Sequence, residues 1–389
     1  MLVTLMRQDD EVLEFDFDVP SQAVRHVRLL ASAELAPSGI ADGSQRASER
    51  LAAFLRERAM SPQRPDFPDV LAATGAANAL ELALCAGGFS LSDRYWYRTP
   101  QSDRTWSASN FYDNAWDPTF SEALLACDYA ALAQADVAVP DVTCGGTQRK
   151  AWVMREGVPH LLKASSDESG DDLVGGVLAS RLLALLLQPG EFVPHELVRY
   201  GGATYSAAPL CLEGDVDLLS TAALGNAEQR LASDGTWKRP QWDGVGRVLF
   251  ALGVEDAPRA LAKLAVVSSL CLYGDITASN LAIASDRATG ELRLAPLYDL
   301  GGSFGTFNLD AARLAYANRQ LALRFVGWGF RGLDPSWDYS WCDLAPLEGF
   351  GEAIEEAFAG CEALGDEFPA FARSLFELQL DYVAAVIGC

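Results

Sequence analysis

The stretch Leu270–Gly302, LCLYGDITASNLAIASDRATGELRLAPLYDLGG, constrains this chain more than any other. Apolar residues at strand spacing, Leu281 and Ile283, then Leu292 and Leu294, flank the turn-forming run Asp286-Arg287-Ala288-Thr289-Gly290. That pattern predicts a β-hairpin. The end of an apolar helix and a polar loop carrying Asp275 and Asn280 precede it, and Asp299 stands at the foot of the second strand. A hairpin brings its open ends together, and Asp275, Asn280 and Asp299 with them. Two acids and an amide converging in this way can hold a divalent cation through oxygen and orient a hydroxyl for attack. That is the apparatus of phosphoryl transfer from Mg-ATP. Taken singly, either acid reads as a turn cap; the combination around one hairpin reads as a site.

Charge narrows the field. The formal net charge of −23 repels phosphate backbones, and no local basic patch offsets it, so direct nucleic-acid binding is not expected. The longest nearly apolar runs, near Leu178–Leu187 and Leu261–Tyr273, are too short to span a bilayer. The start, MLVTLMRQDDEVLEF, lacks the pattern of a signal peptide. Eight cysteines are scattered without a CxxC pair, as in a chain of reduced thiols, so a cytoplasmic location is expected. Only His26, His160 and His195 are present, none at metal-ligand spacing to a cysteine, which argues against zinc chemistry and a Ser-His-Asp hydrolase.

At 389 residues the chain has room for two or three domains. Residues 2–20 alternate as a hairpin does, and Asp42–Met60 has helical spacing. One or two helices follow between Pro65 and Cys85, with Asp66 as cap and Pro68 in the first turn. The segment 91–120 is dense in aromatics and reads as a loop that packs one subdomain on the next. From Asp136 the texture changes. A loop with Gly145 and Gly146 leads into a strand over Lys150–Met154, a turn at Glu156-Gly157, and a second strand ending in Lys163. Glycines let backbone amides approach phosphates, and a lysine on the following strand neutralises them. Asp171–Leu187 is apolar almost all round, hence a buried helix stopped by Pro189-Gly190. Strand-like residues run from Phe192 to Cys211. After Asp215 the chain is expected to be largely helical. Asp256 is expected to cap a helix that leads into the hairpin, and helices are expected near Glu348–Ala359 and Phe368–Ile387.

In these residues the chain resembles the HipA-like kinases. Their catalytic loop has Asp, four residues, then Asn, followed by a hairpin and an aromatic-Asp pair, matched by YGDITASN and LAPLYDL with Asp275, Asn280, Tyr298 and Asp299. Their ATP lysine ends an apolar strand behind a glycine-containing loop that has a lysine of its own, matched by GGTQRKAW and HLLKAS with Lys163. The likeness covers roughly residues 136–389, and LSDRYWYRTP…NFYDN is similar to an amino-terminal stretch of uncharacterised proteins carrying such a region.

The resemblance implies an α+β, bilobal protein-kinase-like fold: an amino-terminal α/β subdomain over 1–135, a small sheet-rich lobe over 136–215, and a helical lobe over 216–389. It implies Asp275 as general base, Lys163 with Gly145, Gly146 and Thr147 on ATP, and Asn280 and Asp299 on Mg²⁺. The substrate would be a protein Ser/Thr hydroxyl, the partner a small antitoxin-like protein, and Thr143 the candidate for autophosphorylation. A small-molecule phosphotransferase stays an alternative because kinase-like folds also phosphorylate sugars and antibiotics, and two departures keep an impaired pseudokinase as another. Thr277 stands where relatives carry histidine, and Gly175-Gly176 where they carry Asn-Glu, which leaves Asp171, Asp172 or Glu168 as partners for Lys163.

Overall fold

The computed structural model describes residues 1–37, 40, 45–166, 170–220, 249, 253–254, 256–272, 280–306, 333–334 and 337–388. It is a mixed α/β structure with three antiparallel sheets among the described residues. Strands β1 (Leu2–Arg7), β2 (Asp10–Asp18), β3 (Ala23–Leu29) and β4 (Tyr95–Arg98) form the first, in the order β3-β2-β1-β4. The alternation in residues 2–20 gives the expected hairpin. The chain then adds β3, and β4 lies in the aromatic segment expected as a loop. Tyr95 and Tyr97 enter the main core of this half, whereas Trp96 between them stacks on Phe89 at 4.9 Å. That period of two makes a strand, and a density of aromatics concealed it.

Helices α1 (Gln45–Glu57), α2 (Phe67–Thr74), α3 (Ala79–Cys85), α4 (Trp106–Ser109), α5 (Thr119–Ala126) and α6 (Tyr129–Leu132) complete the first part. Asp66 does not cap α2. Its carboxylate instead accepts from Arg64, whose side chain is fully buried, at 3.0 and 2.7 Å. A buried guanidinium requires a carboxylate more than a helix end does.

The second sheet, β5 (Lys150–Arg155), β6 (Val158–Lys163), β7 (Glu196–Tyr200) and β8 (Ala203–Pro209), has the order β5-β6-β8-β7, with α7 (Asp171–Leu186) between β6 and β7. The third contains β9 (Val216–Ser220), β10 (Ala282–Asp286) and β11 (Leu292–Leu294) in the order β11-β10-β9. The last two are the predicted hairpin. Strand β9 stands where helix was expected to begin; it borrows its partner from more than sixty residues downstream, which local pattern does not reveal. Helices α8 (Ala257–Leu270), α9 (Phe350–Phe358) and α10 (Phe368–Ile387) follow. Asp256 precedes α8 with a left-handed backbone (φ 55°) and makes no side-chain cap.

Apolar burial is concentrated in two large cores. One joins the first sheet and its helices to Ala151, Leu162 and Ala207 of the second sheet, so it crosses the 135/136 boundary. The other joins α7, α8, the hairpin, α9 and α10. A buried ionic hub ties the third sheet to the first: Asp217 on β9 accepts from Arg7 Nε at 3.1 Å, from the Arg94 backbone N–H at 3.0 Å and from Arg287 Nε at 3.2 Å. The seven described cysteines are free thiols, although Cys85 and Cys127 are exposed rather than in the core. No described helix is long and apolar enough to cross a membrane.

Candidate functional site

Antiparallel pairing places Lys150, the first residue of β5, directly opposite Lys163, the last of β6. Both are buried, so two ammonium groups share one end of the sheet. Lys163 Nζ forms an ion pair with Asp299 Oδ1 across 136 residues of sequence. Lys150 has no comparable anion. Among the described residues it makes no ion pair, and burial, then the neighbouring Lys163, push its pKa down to about 8. Burial opposes ionisation of Asp299, but Lys163 and then Lys150 outweigh it and hold that carboxyl at about 2.

The loop before β5 is shaped around these lysines. Gly146 has a left-handed backbone (φ 86°), and a Cβ there would collide with Lys150 Nζ. The left-handed backbone favours glycine here, and any side chain would also displace the end of Lys150. Gly145 lies against the carbonyl of Glu57, while Gly146 and Thr147 are exposed at the turn. The Thr143 hydroxyl is buried, donating to the Phe89 and Pro140 carbonyls at 2.9 Å each, so it is not presented for phosphorylation in this arrangement.

Asp299 is positioned from two sides. Upstream, Leu297 bridges in parallel to Phe192, with Val193 N–H donating to the Leu297 carbonyl at 2.9 Å. Downstream, Gly175 and Gly176 of α7 take the following turn at close range. A Cβ on Gly175 would lie 3.2 Å from the Ser303 carbonyl oxygen, and one on Gly176 3.4 Å from Gly301 Cα. Asp299 itself adopts φ 58°, a left-handed conformation that Asp tolerates better than most residues. Gly175, in the glycine pair that stands where relatives carry Asn-Glu, is thus what lets the helix seat the segment bearing Asp299 closely.

The acids proposed as substitutes are committed elsewhere. Asp172 accepts from Ser165 Oγ at 2.6 Å, Ser166 N–H at 2.9 Å and Gln148 Nε2 at 2.7 Å. Asp171 faces the thiol of Cys361, which burial and then this carboxylate push up to about 12. Glu168 lies outside the described residues, as do Asp275 and Thr277. The partner of Lys163 is Asp299.

Asn280 stands two residues before Ala282, whose carbonyl accepts from Ala295 N–H at 2.9 Å. Asn280 and Asp299 therefore occupy the same open end of the hairpin. Among the described residues no three of His, Cys, Asp and Glu are grouped to hold a metal ion.

Two further residues belong here. Lys150 is visible in GGTQRKAW, but the sequence assigned it no role; strand register is the signal, because it pairs with Lys163. His195, which the sequence marks neither as a zinc ligand nor as a hydrolase histidine, is the second. Its Nδ1 lies 3.2 Å from Ser206 Oγ, the residue opposite Lys163 on β8, and its backbone N–H donates to Ser180 of α7 at 2.8 Å. Burial and then Lys163 lower its pKa to about 4, so it is neutral near pH 7. No sequence signal singles it out.

No family model matches the sequence, and no curated protein matches it. Among solved structures the chain is similar to the crystal structure of a Helicobacter pylori proinflammatory kinase, CtkA, with a TM-score of 0.45 and 12% identity over 62% of this chain and 91% of that one. A superposition of that quality fixes no residue correspondence.

Proposed function

We propose that this chain is an ATP-dependent phosphotransferase of bilobal, kinase-like design that acts on a protein Ser/Thr hydroxyl. The observation that carries this reading is Lys150: a buried ammonium that makes no ion pair among the described residues, at one end of a sheet beside the Lys163–Asp299 pair. Among the described residues two ammonium groups stand against one carboxylate there, an excess of positive charge within a chain of net charge −23. A polyanion complements that excess. Leu161 and Ala208, on the same sheet face as Lys163, are half-buried and belong to none of the hydrophobic cores of the described residues, so they offer apolar surface beside the cations for a planar base.

The donor set fits Mg-ATP. Lys150, Lys163 and the amides of Gly145, Gly146 and Thr147 would hold its phosphates, and Asn280 with Asp299 would hold Mg²⁺ through oxygen. When bound, Mg-ATP supplies the phosphoryl group and the metal charge that neutralises it. Asp299, kept ionised by the lysines, is ready as a ligand at any physiological pH. Neutral His195 keeps further positive charge out of the site. Asp275, on the resemblance, accepts the proton of the substrate hydroxyl.

The test is radiolabel transfer with Asp275→Asn and Lys163→Ala. Transfer lost in the first with nucleotide binding kept, and binding lost in the second, supports the assignment. Unchanged nucleotide binding in Lys163→Ala would show the site is misplaced. That no acid of α7 among the described residues pairs with Lys163 favours a second reading, a pseudokinase, recognised by Mg-ATP raising the melting temperature with no transfer to protein. Turnover that depends on a metabolite and never labels protein would point to a small-molecule kinase. A small antitoxin-like partner would follow from the resemblance and would appear as a co-purifying chain.

A further inference from the structure

The approach to the loop that carries Gly145 and Gly146 is tied to residues upstream of position 136, while within the loop Gln148 donates to Asp172 of α7 at 2.7 Å. Met60 N–H, just beyond α1, donates to the Val142 carbonyl at 3.1 Å. The Thr143 hydroxyl reaches the Phe89 carbonyl at 2.9 Å. Asp141, fully buried, accepts from Ser121 Oγ of α5 at 2.7 Å and from the Trp152 backbone N–H at 2.8 Å, which ties the approach to the loop to β5. Arg64 Nη1 lies 3.5 Å from the Lys150 carbonyl. At Gly145 the loop meets the last turn of α1, where a Cβ would sit 3.2 Å from the carbonyl oxygen of Glu57. Main-chain atoms face one another there, so neither side can yield as a flexible side chain would.

We propose that the last residue of α1 and the turn after it, Glu57–Met60, form a positioning element of the nucleotide site, holding the 144–149 loop at the spacing at which Lys150 and Lys163 meet one polyanion. The proposal rests on the phosphotransfer reading and assigns the first 135 residues a part in substrate affinity. A Cβ at Gly145 would make this contact tighter than ordinary packing, so the loop or α1 would have to give by a few tenths of an ångström. A loop displaced by a few tenths of an ångström reaches the phosphates less well, while the hydroxyl-activating acid is untouched. The effect therefore falls on binding rather than on the chemical step.

The experiment compares wild type with Gly145→Ala and Thr143→Val in the full chain. It measures ATP affinity by calorimetry, the KM for ATP and kcat, melting temperature, and hydrogen exchange of the 144–149 amides without nucleotide. Expected in Gly145→Ala is an increase of about 10-fold in both Kd and KM with kcat changed less than about threefold. Faster exchange confined to the loop and a nearly unchanged melting temperature should accompany it. Thr143→Val, which keeps the volume but cuts the tie to Phe89, should move the same quantities in the same direction. Unchanged affinity and unchanged loop exchange in both variants would overturn the proposal. So would a parallel fall in kcat and melting temperature, the mark of a merely structural residue. If wild type binds no nucleotide, the phosphotransfer reading falls. Loop exchange then decides by itself whether α1 holds the loop, upheld by acceleration in Gly145→Ala and overturned by its absence.

Discussion

Lys150 is held in the folded chain at a cost in stability. Its pKa falls from 10.5 to about 8, so the folded state binds its proton less tightly than the unfolded state does. The penalty is fully present below pH 8 and fades as pH rises from about 8 to about 10.5, where both states become neutral. It is on the order of 3 kcal/mol. Lys150→Met should accordingly raise the melting temperature at pH 7, with a margin that shrinks toward pH 10, and should weaken ATP binding by about tenfold or more. Destabilisation at pH 7 with affinity intact would mean that Lys150 serves packing instead. Lys150 and His195 also show where local reading stops. Each is ordinary in its own segment, and each becomes part of the site only through a neighbouring strand.

Helix α7 illustrates the same point at the scale of an element. Its position, length and near-complete burial follow from apolar residues on all faces between Asp171 and the Pro189-Gly190 stop. Its glycine pair reads, in sequence, as a missing acid. In the fold it is a contact surface for the turn after Asp299. The two glycines should respond differently to alanine. Propensity alone favours alanine by roughly 0.5–1 kcal/mol in a helix interior. Gly176 has ordinary contact distance to Gly301, so Gly176→Ala is expected to be neutral or stabilising. Gly175 faces backbone carbonyl oxygens at 3.2 and 3.3 Å, and Gly175→Ala should lose about 1–3 kcal/mol and reduce phosphate transfer. Chemical denaturation of both variants checks this, and equal behaviour would refute the close-contact account.

At the scale of the molecule, the amino-terminal residues and the second sheet share one core, and the Asp217 hub fastens the third sheet to the first. Arg7→Met should cost about 3–5 kcal/mol, because it strips one cation from a fully buried carboxylate. A 136–389 fragment should fail to melt cooperatively, having lost its side of that core; a fragment with a sharp native-like transition would contradict it. The aromatic segment contributes to this unity. Its Trp96, stacked on Phe89, and its Phe111 pack in one cluster with Trp152 of β5, the bridging role its composition suggested, although one strand of it had to be discovered in the sheet.

What the sequence determined alone is local and periodic. The hairpin around Asp286–Gly290, the strands ending at Lys163, the buried helix after it and the last helix, Phe368–Ile387, are all written in spacings of two or of three to four with turn residues between. These depend on interactions between near neighbours, so a single segment carries the information. Only the tertiary structure decided that Lys163 meets Asp299, that Lys150 stands beside them without a carboxylate of its own, and that α1 lies against the glycine loop. Those contacts span tens to more than a hundred residues and arise from how whole elements pack, a property that no stretch of the chain possesses by itself.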